Sequence, residues 1–234
     1  MTNLVMIPAF GCDAGLYAGI VPLLPPDVMS SVIVADGETF PQCVEQVLVR
    51  APSSFVILGT SFGGRVALET ALAAPDRVKG LVVIGASAGP PADPKAGWRR
   101  SERLRAGEAS QIAAEMGAMI SHLDGPNGPA ARDAFIAMCE RLGPGVMTRQ
   151  SDALARRQDL GPWLGDIACP ALMLWGEHDK FSPAADGQQM AAAMLHGRYV
   201  ELKDCGHFPS LEYPAETAAA ISRWMEDTGL APTA

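Results

Sequence analysis

The chain has 234 residues, 48% of them apolar and 19% charged, a balance that supports one large core, with or without an inserted subdomain, and excludes intrinsic disorder. A net charge of −8, from 26 acidic and 18 basic side chains, repels phosphate backbones and anionic lipid, so neither nucleic acid nor a membrane surface is an expected partner. The five cysteines (Cys12, Cys43, Cys139, Cys169 and Cys205) are scattered without metal-ligand spacing, and the opening MTNLVMIPAFG has no basic segment before an apolar stretch, so a reducing cytoplasm is expected, without metal, export or membrane insertion.

In chain order, the first apolar run is Leu4–Ile7, stopped by Pro8, and predicts a buried strand leading into the loop AFGCDAG. A helix is predicted over Leu16–Leu24, a strand over Val32–Ala35, a helix over Gln42–Arg50 and a strand over Phe55–Leu58. A helix over Gly63–Ala74 and a strand over Leu81–Ile84 follow. After a break in the pattern come strand Ala171–Trp175, helix Ala185–Leu195, strand Tyr199–Leu202 and helix Pro214–Asp227. Continuously apolar strands need cover on both faces, and crossover helices make the pairing parallel. The expected fold is therefore α/β, a doubly wound, mostly parallel sheet.

Between Gly89 and Gly165 the alternation stops. Pro90, Pro91, Pro94, Gly125, Pro126, Gly128, Pro129, Gly143, Pro144 and Gly145 separate three or four helical stretches with no strand among them. The expected organisation is a core of residues 1–89 and 166–234 carrying an inserted helical cap of residues 90–165, with residues 229–234 frayed.

The stretch FVILGTSFGGRVALETALAA carries the strongest chemical signal. An apolar strand runs through Gly59-Thr60-Ser61-Phe62-Gly63-Gly64 directly into a helix, the pattern of a nucleophile elbow. The flanking glycines are needed because Cβ atoms there would collide with strand and helix. The turn strains Ser61 so that its hydroxyl projects, at a helix N-terminus that favours an anion. A serine hydroxyl needs a base, and histidine is the side chain whose ordinary pKa suits that task. Of the four histidines, His122 falls in the cap, His178 sits beside a better candidate in GEHD, and His196 lies in a polar turn. His207 follows a late strand, at the end where open α/β sheets bind ligands. Asp179, just past the preceding strand, is the carboxylate expected to orient it, with Glu177 and Asp204 as the alternatives.

The segments GTSFGG, LVVIGASAG, CPALMLWGEHDKFSP and GHFPSLEYPAE, with the order Ser61, Asp179, His207, resemble the α/β-hydrolase superfamily, and within it the small capped esterases and lactonases of bacteria. That resemblance implies oxyanion donors at the backbone N–H of Phe62 and of Phe10, or less favourably Gly11. Pro8-Ala9 stands where the family usually has His-Gly. It also implies a sheet shorter at one edge, because two strands that the family commonly carries in front are missing, and it disfavours the relatives that use aspartate in place of Ser61.

The expected pocket lies between sheet edge and cap, lined by Phe10, Phe62, Trp98, Met116, Met119 and Met138. The cap arginines Arg99, Arg100, Arg103 and Arg105 read as a solvated helix face, with attraction of a carboxylate-bearing substrate as the alternative. The expected activity is cofactor-free hydrolysis of a small-molecule ester, thioester or lactone through an acyl-enzyme. The alternatives are carbon–carbon bond hydrolysis of a ring-fission diketone and a ligand receptor that keeps the triad.

Overall fold

The apolar runs become the inner strands of one parallel sheet. In the computed structural model, which describes residues 1–93 and 95–231, the elements in chain order are β1 (Thr2–Ile7), β2 (Val28–Val32), α1 (Phe40–Arg50), β3 (Phe55–Thr60), α2 (Phe62–Ala73), β4 (Val78–Ile84), α3 (Ala96–Arg105), α4 (Ala109–Ile120), α5 (Gly128–Leu142), α6 (Pro144–Ala155), β5 (Ala171–Gly176), α7 (Ala184–Ala193), β6 (Gly197–Leu202), α8 (Pro209–Glu212) and α9 (Pro214–Asp227). The six strands pair in the order β2-β1-β3-β4-β5-β6, all parallel.

Helices cover both faces. A Cβ added at Gly80 of β4 would meet Trp224 of α9 at 2.9 Å, whereas Gly64 of α2 faces Val83, three residues along the same strand and so on the opposite side. β3 and β5 are buried at every position, as a doubly covered sheet requires. The chain leaves β1 toward β2 and returns to place β3 on its other side. The loops after β1 and β3 therefore flank a crevice at the C-terminal ends of the strands, the switch point where such sheets bind ligands.

Three expectations change. The second strand lies at Val28–Val32, not Val32–Ala35, because it is an edge strand: VMSSV alternates in exposure, and the apolar run marks the buried Ile33 and Ala35 just beyond it. Residues 16–24 form two short 3₁₀ turns, Ala14–Tyr17 and Val21–Leu23, rather than a helix. Pro22 lacks an N–H for an α-helical ladder, and Gly19 lies so close to Pro214 that a Cβ would sit 3.0 Å from it. The tail is held rather than frayed up to Ala231: Leu230 N–H donates to Met225 O at 2.8 Å, Thr2 Oγ1 donates to Leu230 O, and Ala231 is buried. Pro94 and the rest of the expected frayed tail, residues 232–234, lie outside the described residues.

The helices α3–α6 stand between β4 and β5 and cover the C-terminal ends of the strands, tied down by polar contacts. Gln150 of α6 accepts from Gly11 N–H at 2.9 Å and donates to Ala35 O at 2.9 Å. Arg141 pairs with Asp13 at 2.8 Å, and Ile120 O accepts from His207 N–H at 3.0 Å. No helix among the described residues is long and apolar enough to cross a membrane.

The seam between β1 and the β3–α2 turn is among the tightest contacts of the described residues. A Cβ at Gly63 would lie 1.9 Å from Ile7 O and 2.6 Å from Pro8 O, both backbone atoms that cannot step aside. Gly63→Ala is expected to lose about 3 kcal/mol of stability, the upper part of the usual range for overpacking, measured as a lower urea midpoint at unchanged m-value.

Candidate active site

Ser61 is the N-cap residue of α2, yet its side chain makes no capping hydrogen bond. Its backbone sits at φ 53° and ψ −113°, a region costly for a residue with a Cβ. Two backbone hydrogen bonds hold it there: Ser61 N–H donates to Ile84 O at 2.7 Å, and Ser61 O accepts from Arg65 N–H at 3.0 Å. Gly59 and Gly63 make the turn possible, since a Cβ at Gly59 would lie 2.0 Å from Gly63 O. A buried triangle braces the turn from below, where the Tyr17 hydroxyl donates to Ile7 O at 2.7 Å and meets Thr60 Oγ1 at 3.0 Å.

Asp179 and His207 come from the loops after β5 and β6. His207 Nδ1 lies 2.7 Å from Asp179 Oδ2, and each side chain is 1% exposed. Asp179 Oδ1 accepts from the N–H groups of Phe181 at 2.8 Å and Ser182 at 2.9 Å, which fixes the carboxylate and leaves Oδ2 to the imidazole. The alternatives are engaged elsewhere: Glu177 pairs with Lys203 at 3.0 Å, and Asp204 is exposed. His196 is exposed on the surface.

The imidazole rests against Gly85, whose missing Cβ would lie 3.0 Å from His207 Cε1 and from Asp179 Oδ2. Gly85 also lines the cavity into which Ser61 opens, and Phe181, its ring 5.1 Å from that of His207, lines it too. No hydrogen bond joins Ser61 Oγ to the imidazole among the described residues.

Two main-chain N–H groups near Ser61 differ in their partners. Phe62 N–H belongs to the first turn of α2, where helical N–H groups have no intrahelical partner. Gly11 N–H, the less favoured of the two sequence candidates for a second oxyanion donor, is taken by Gln150 Oε1.

The cavity over Ser61 measures about 370 Å³. Phe10, Phe62 and Met116 line it, together with Gly85, Leu154 and Phe181. Three expected lining residues lie elsewhere. Trp98 is partly exposed beneath Arg156, whose guanidinium sits 4.5 Å from a Trp98 ring centroid. Met119 is 45% exposed, on the outer face of α4, and Met138 is packed in the core beside the turn at Gly15. Helical phase, not residue type, decides which of these methionines reaches the cavity. Of the cap arginines, Arg99 pairs with Asp93, Arg103 with Glu108 and Glu115, and Arg105 with Asp152. Only Arg100 of the four enters the cavity, joined there by Arg65 and Arg157.

Two further residues matter that the sequence pattern did not single out. Gln150 shapes the loop after β1, as described above. Glu212, 1% exposed, accepts from the N–H groups of His122 at 2.9 Å, Gly206 at 3.0 Å and Phe208 at 3.3 Å, and so organises the loop that carries His207. The available signal was a carboxylate inside GHFPSLEYP, at the end of a four-residue helix that starts on Pro209 and is followed by Pro214. One surface group among the described residues could hold a metal: His122, His178 and Asp204 place their donor atoms within 4.8 Å of one another, with the two rings stacked at 4.0 Å. None of the three lines the cavity over Ser61.

A strained serine between a buried parallel strand and a helix, with a histidine–aspartate pair delivered by later strands, defines a hydrolase of the α/β type. The model of the alpha/beta hydrolase family matches residues 8–220, and the chain belongs to that family. It is 30% identical to the 2-hydroxy-6-oxononadienedioate/2-hydroxy-6-oxononatrienedioate hydrolase of Paraburkholderia xenovorans, over 67% of this chain and 57% of that protein, so the match spans little more than half of that relative. It is 24% identical to the pimeloyl-(acyl-carrier protein) methyl ester esterase of Aliivibrio salmonicida, over 96% of this chain and 92% of the relative. Among solved structures, a thermophilic esterase from Thermogutta terrifontis shares the fold at a TM-score of 0.89 and 23% identity, covering 97% of this chain and 90% of that one. The enol-lactonase of Burkholderia xenovorans LB400 does so at 0.87 and 20%, covering 96% and 91%.

Glu212→Ala leaves three N–H groups without their acceptor around the His207 loop. It is expected to cost at least about 2 kcal/mol in urea denaturation, since each buried donor left unpaired costs about 1–3 kcal/mol.

Proposed function

We propose that the chain is a serine hydrolase that cleaves small carboxylic esters, thioesters or lactones through an acyl-enzyme on Ser61. The observation that carries this reading is the elbow itself: Ser61 is held at φ 53° with an uncapped hydroxyl at the head of α2, opening into a cavity against which the Asp179–His207 pair is packed. His207 takes the proton from Ser61 as its oxygen attacks the carbonyl carbon. Asp179 holds the imidazole in the tautomer that leaves the far nitrogen free and stabilises the imidazolium that forms. The tetrahedral oxyanion is met by the N–H groups of Phe62 and Phe10, each such donor worth about 2.7–4 kcal/mol in related sites. Collapse releases the alcohol or thiol with the proton from His207, and water repeats the sequence on the acyl-enzyme. In a lactone the leaving hydroxyl stays tethered to the acyl group.

Helices α3–α6 act as a cap, residues 90–165, inserted into a core of residues 1–89 and 166–234. The support is their position between β4 and β5 and their contacts with the loops after β1 and β6. Five free cysteines suit a reducing compartment, the cytoplasm. The identity to the oxononadienedioate hydrolase supports carbon–carbon bond hydrolysis by the same residues as a second reading. Parallel assays of a ring-fission diketone and of p-nitrophenyl acetate and butyrate discriminate the two.

On p-nitrophenyl esters, a burst of nitrophenol followed by slower turnover is expected, together with labelling by a fluorophosphonate probe. Ser61→Ala is expected to abolish the burst and the labelling and to reduce kcat by about 10⁴-fold or more, and Asp179→Asn by about 10⁴-fold. Full activity in Ser61→Ala would overturn the mechanism.

A further inference from the structure

Arginines are abundant in and around the helical insertion, and most have a carboxylate within reach. Arg99, Arg103, Arg105, Arg132, Arg141 and Arg149 each pair with an aspartate or glutamate. Arg100 and Arg157 do not, among the described residues, and these are the two from this segment that line the cavity over Ser61. The third lining arginine, Arg65, differs from both: it is 2% exposed and fully used, donating to Glu69 at 2.8 Å, Ala88 O at 2.9 Å and Gln158 O at 2.6 Å.

Arg100 reaches from α3 with its guanidinium 4.7 Å from the centroid of the Phe10 ring, and its Nε donates to Ser151 Oγ at 2.9 Å. That bond uses one of five N–H donors and leaves the terminal nitrogens without an acceptor among the described residues. Arg157 donates to Pro90 O at 3.3 Å, while its Nε is buried without a partner among the described residues. Asp186, the one carboxylate among the lining residues, lies beyond 4.0 Å of both. Two partly desolvated guanidinium groups thus share one small cavity without a salt-bridged carboxylate among the described residues, Asp186 acting on Arg157 only from longer range, an arrangement that costs free energy unless something anionic enters. Burial, together with the neighbouring Arg157, pushes Arg100 down to about 10; burial and Arg65 push Arg157 down as well, against a weaker opposing pull from Asp186.

Resting on the serine-hydrolase reading above, we propose that Arg100 and Arg157 form an anion subsite on the cap side of the cavity, and that the substrate is a small ester or lactone carrying a free carboxylate. The planar forks of the two arginines suit a carboxylate's paired oxygens, and Met116, Leu154 and Phe181 receive the apolar chain between that carboxylate and the scissile carbonyl. A neutral ester of the same length leaves both cations unpaired, so the subsite selects by charge.

The test compares monomethyl glutarate and monomethyl adipate with the uncharged methyl pentanoate and methyl hexanoate. The wild type is expected to favour the carboxylate-bearing esters by about 10- to 100-fold in kcat/KM, the range of one or two charge-assisted hydrogen bonds, expressed mainly in KM. In Arg157→Gln and, separately, Arg100→Gln, that ratio is expected to fall toward one, and in the double variant to reach it. Arg99→Gln, which alters a cap arginine outside the cavity, is expected to retain both the ratio and the activity. Calorimetry of monomethyl adipate with Ser61→Ala reads the subsite without turnover: binding that Arg157→Gln abolishes supports the subsite even where esterolysis fails, and failure of esterolysis alone counts against the serine-hydrolase reading. A wild-type ratio near one, or a ratio that survives the folded double variant, overturns the proposal.

Discussion

At two positions the turn from β3 into α2 has no space for a side chain, and everything chemical in the molecule is arranged around that fact. Gly59 and Gly63 let the strand end and the helix begin within a single residue, and that residue, Ser61, is forced to positive φ. The strain persists because the surroundings over-determine it: Ile84 O and Arg65 N–H grip the backbone of Ser61 from both sides, and Tyr17 ties the end of β3 to the end of β1. The hydroxyl is thereby presented at the positive end of a twelve-residue helix, and no capping bond competes for it.

The rest of the site reaches this point through polar clamps rather than through apolar packing alone. Gln150 occupies Gly11 N–H and so sets the path of the loop that presents Phe10. Glu212 gathers three N–H groups and shapes the loop that presents His207, while Asp179 divides its two oxygens between its own loop and the imidazole. Each clamp joins segments far apart in the chain: 139 residues separate Gly11 from Gln150, and 90 separate His122 from Glu212. Hydrogen bonds of this kind specify geometry, because a buried donor left without its acceptor is costly. The helices over the strand ends are therefore part of the site's construction as well as its roof.

Charge is distributed on the same logic. On the outer surface of the insertion, arginines meet carboxylates and cancel, which leaves little field there. Inside the cavity the cancellation is incomplete, and the net acidic body surrounds a locally cationic interior. Solvent screening mutes the outer pairs, whereas the inner cations sit partly buried in a small cavity where unpaired charge matters more.

The strand–glycine–serine–glycine–helix string was legible as an elbow because its cause is local: steric exclusion at glycine and periodicity on either side are properties of adjacent residues. The order of Ser61, Asp179 and His207, each just past an apolar run, was legible for the same reason, and so was the alternation of buried strands and helices. Where a strand sits at the sheet edge the signal failed, since VMSSV carries no continuous apolar face, and Pro22 and Gly19 turned an apparent helix into two short turns. Which cap residues face the serine was decided only in three dimensions. Met116 and Arg100 point inward while Met119 and Arg99 point out, a difference of helical phase set by how four helices dock on a sheet that lies elsewhere in the chain. The sequence by itself determined the elbow and the places of Asp179 and His207 just past their strands, because each is written in neighbouring residues. The tertiary structure alone decided the acceptors at Gln150 and Glu212 and the two uncompensated guanidinium groups, because pairing, or the lack of it, belongs to residues that meet only once the chain has folded.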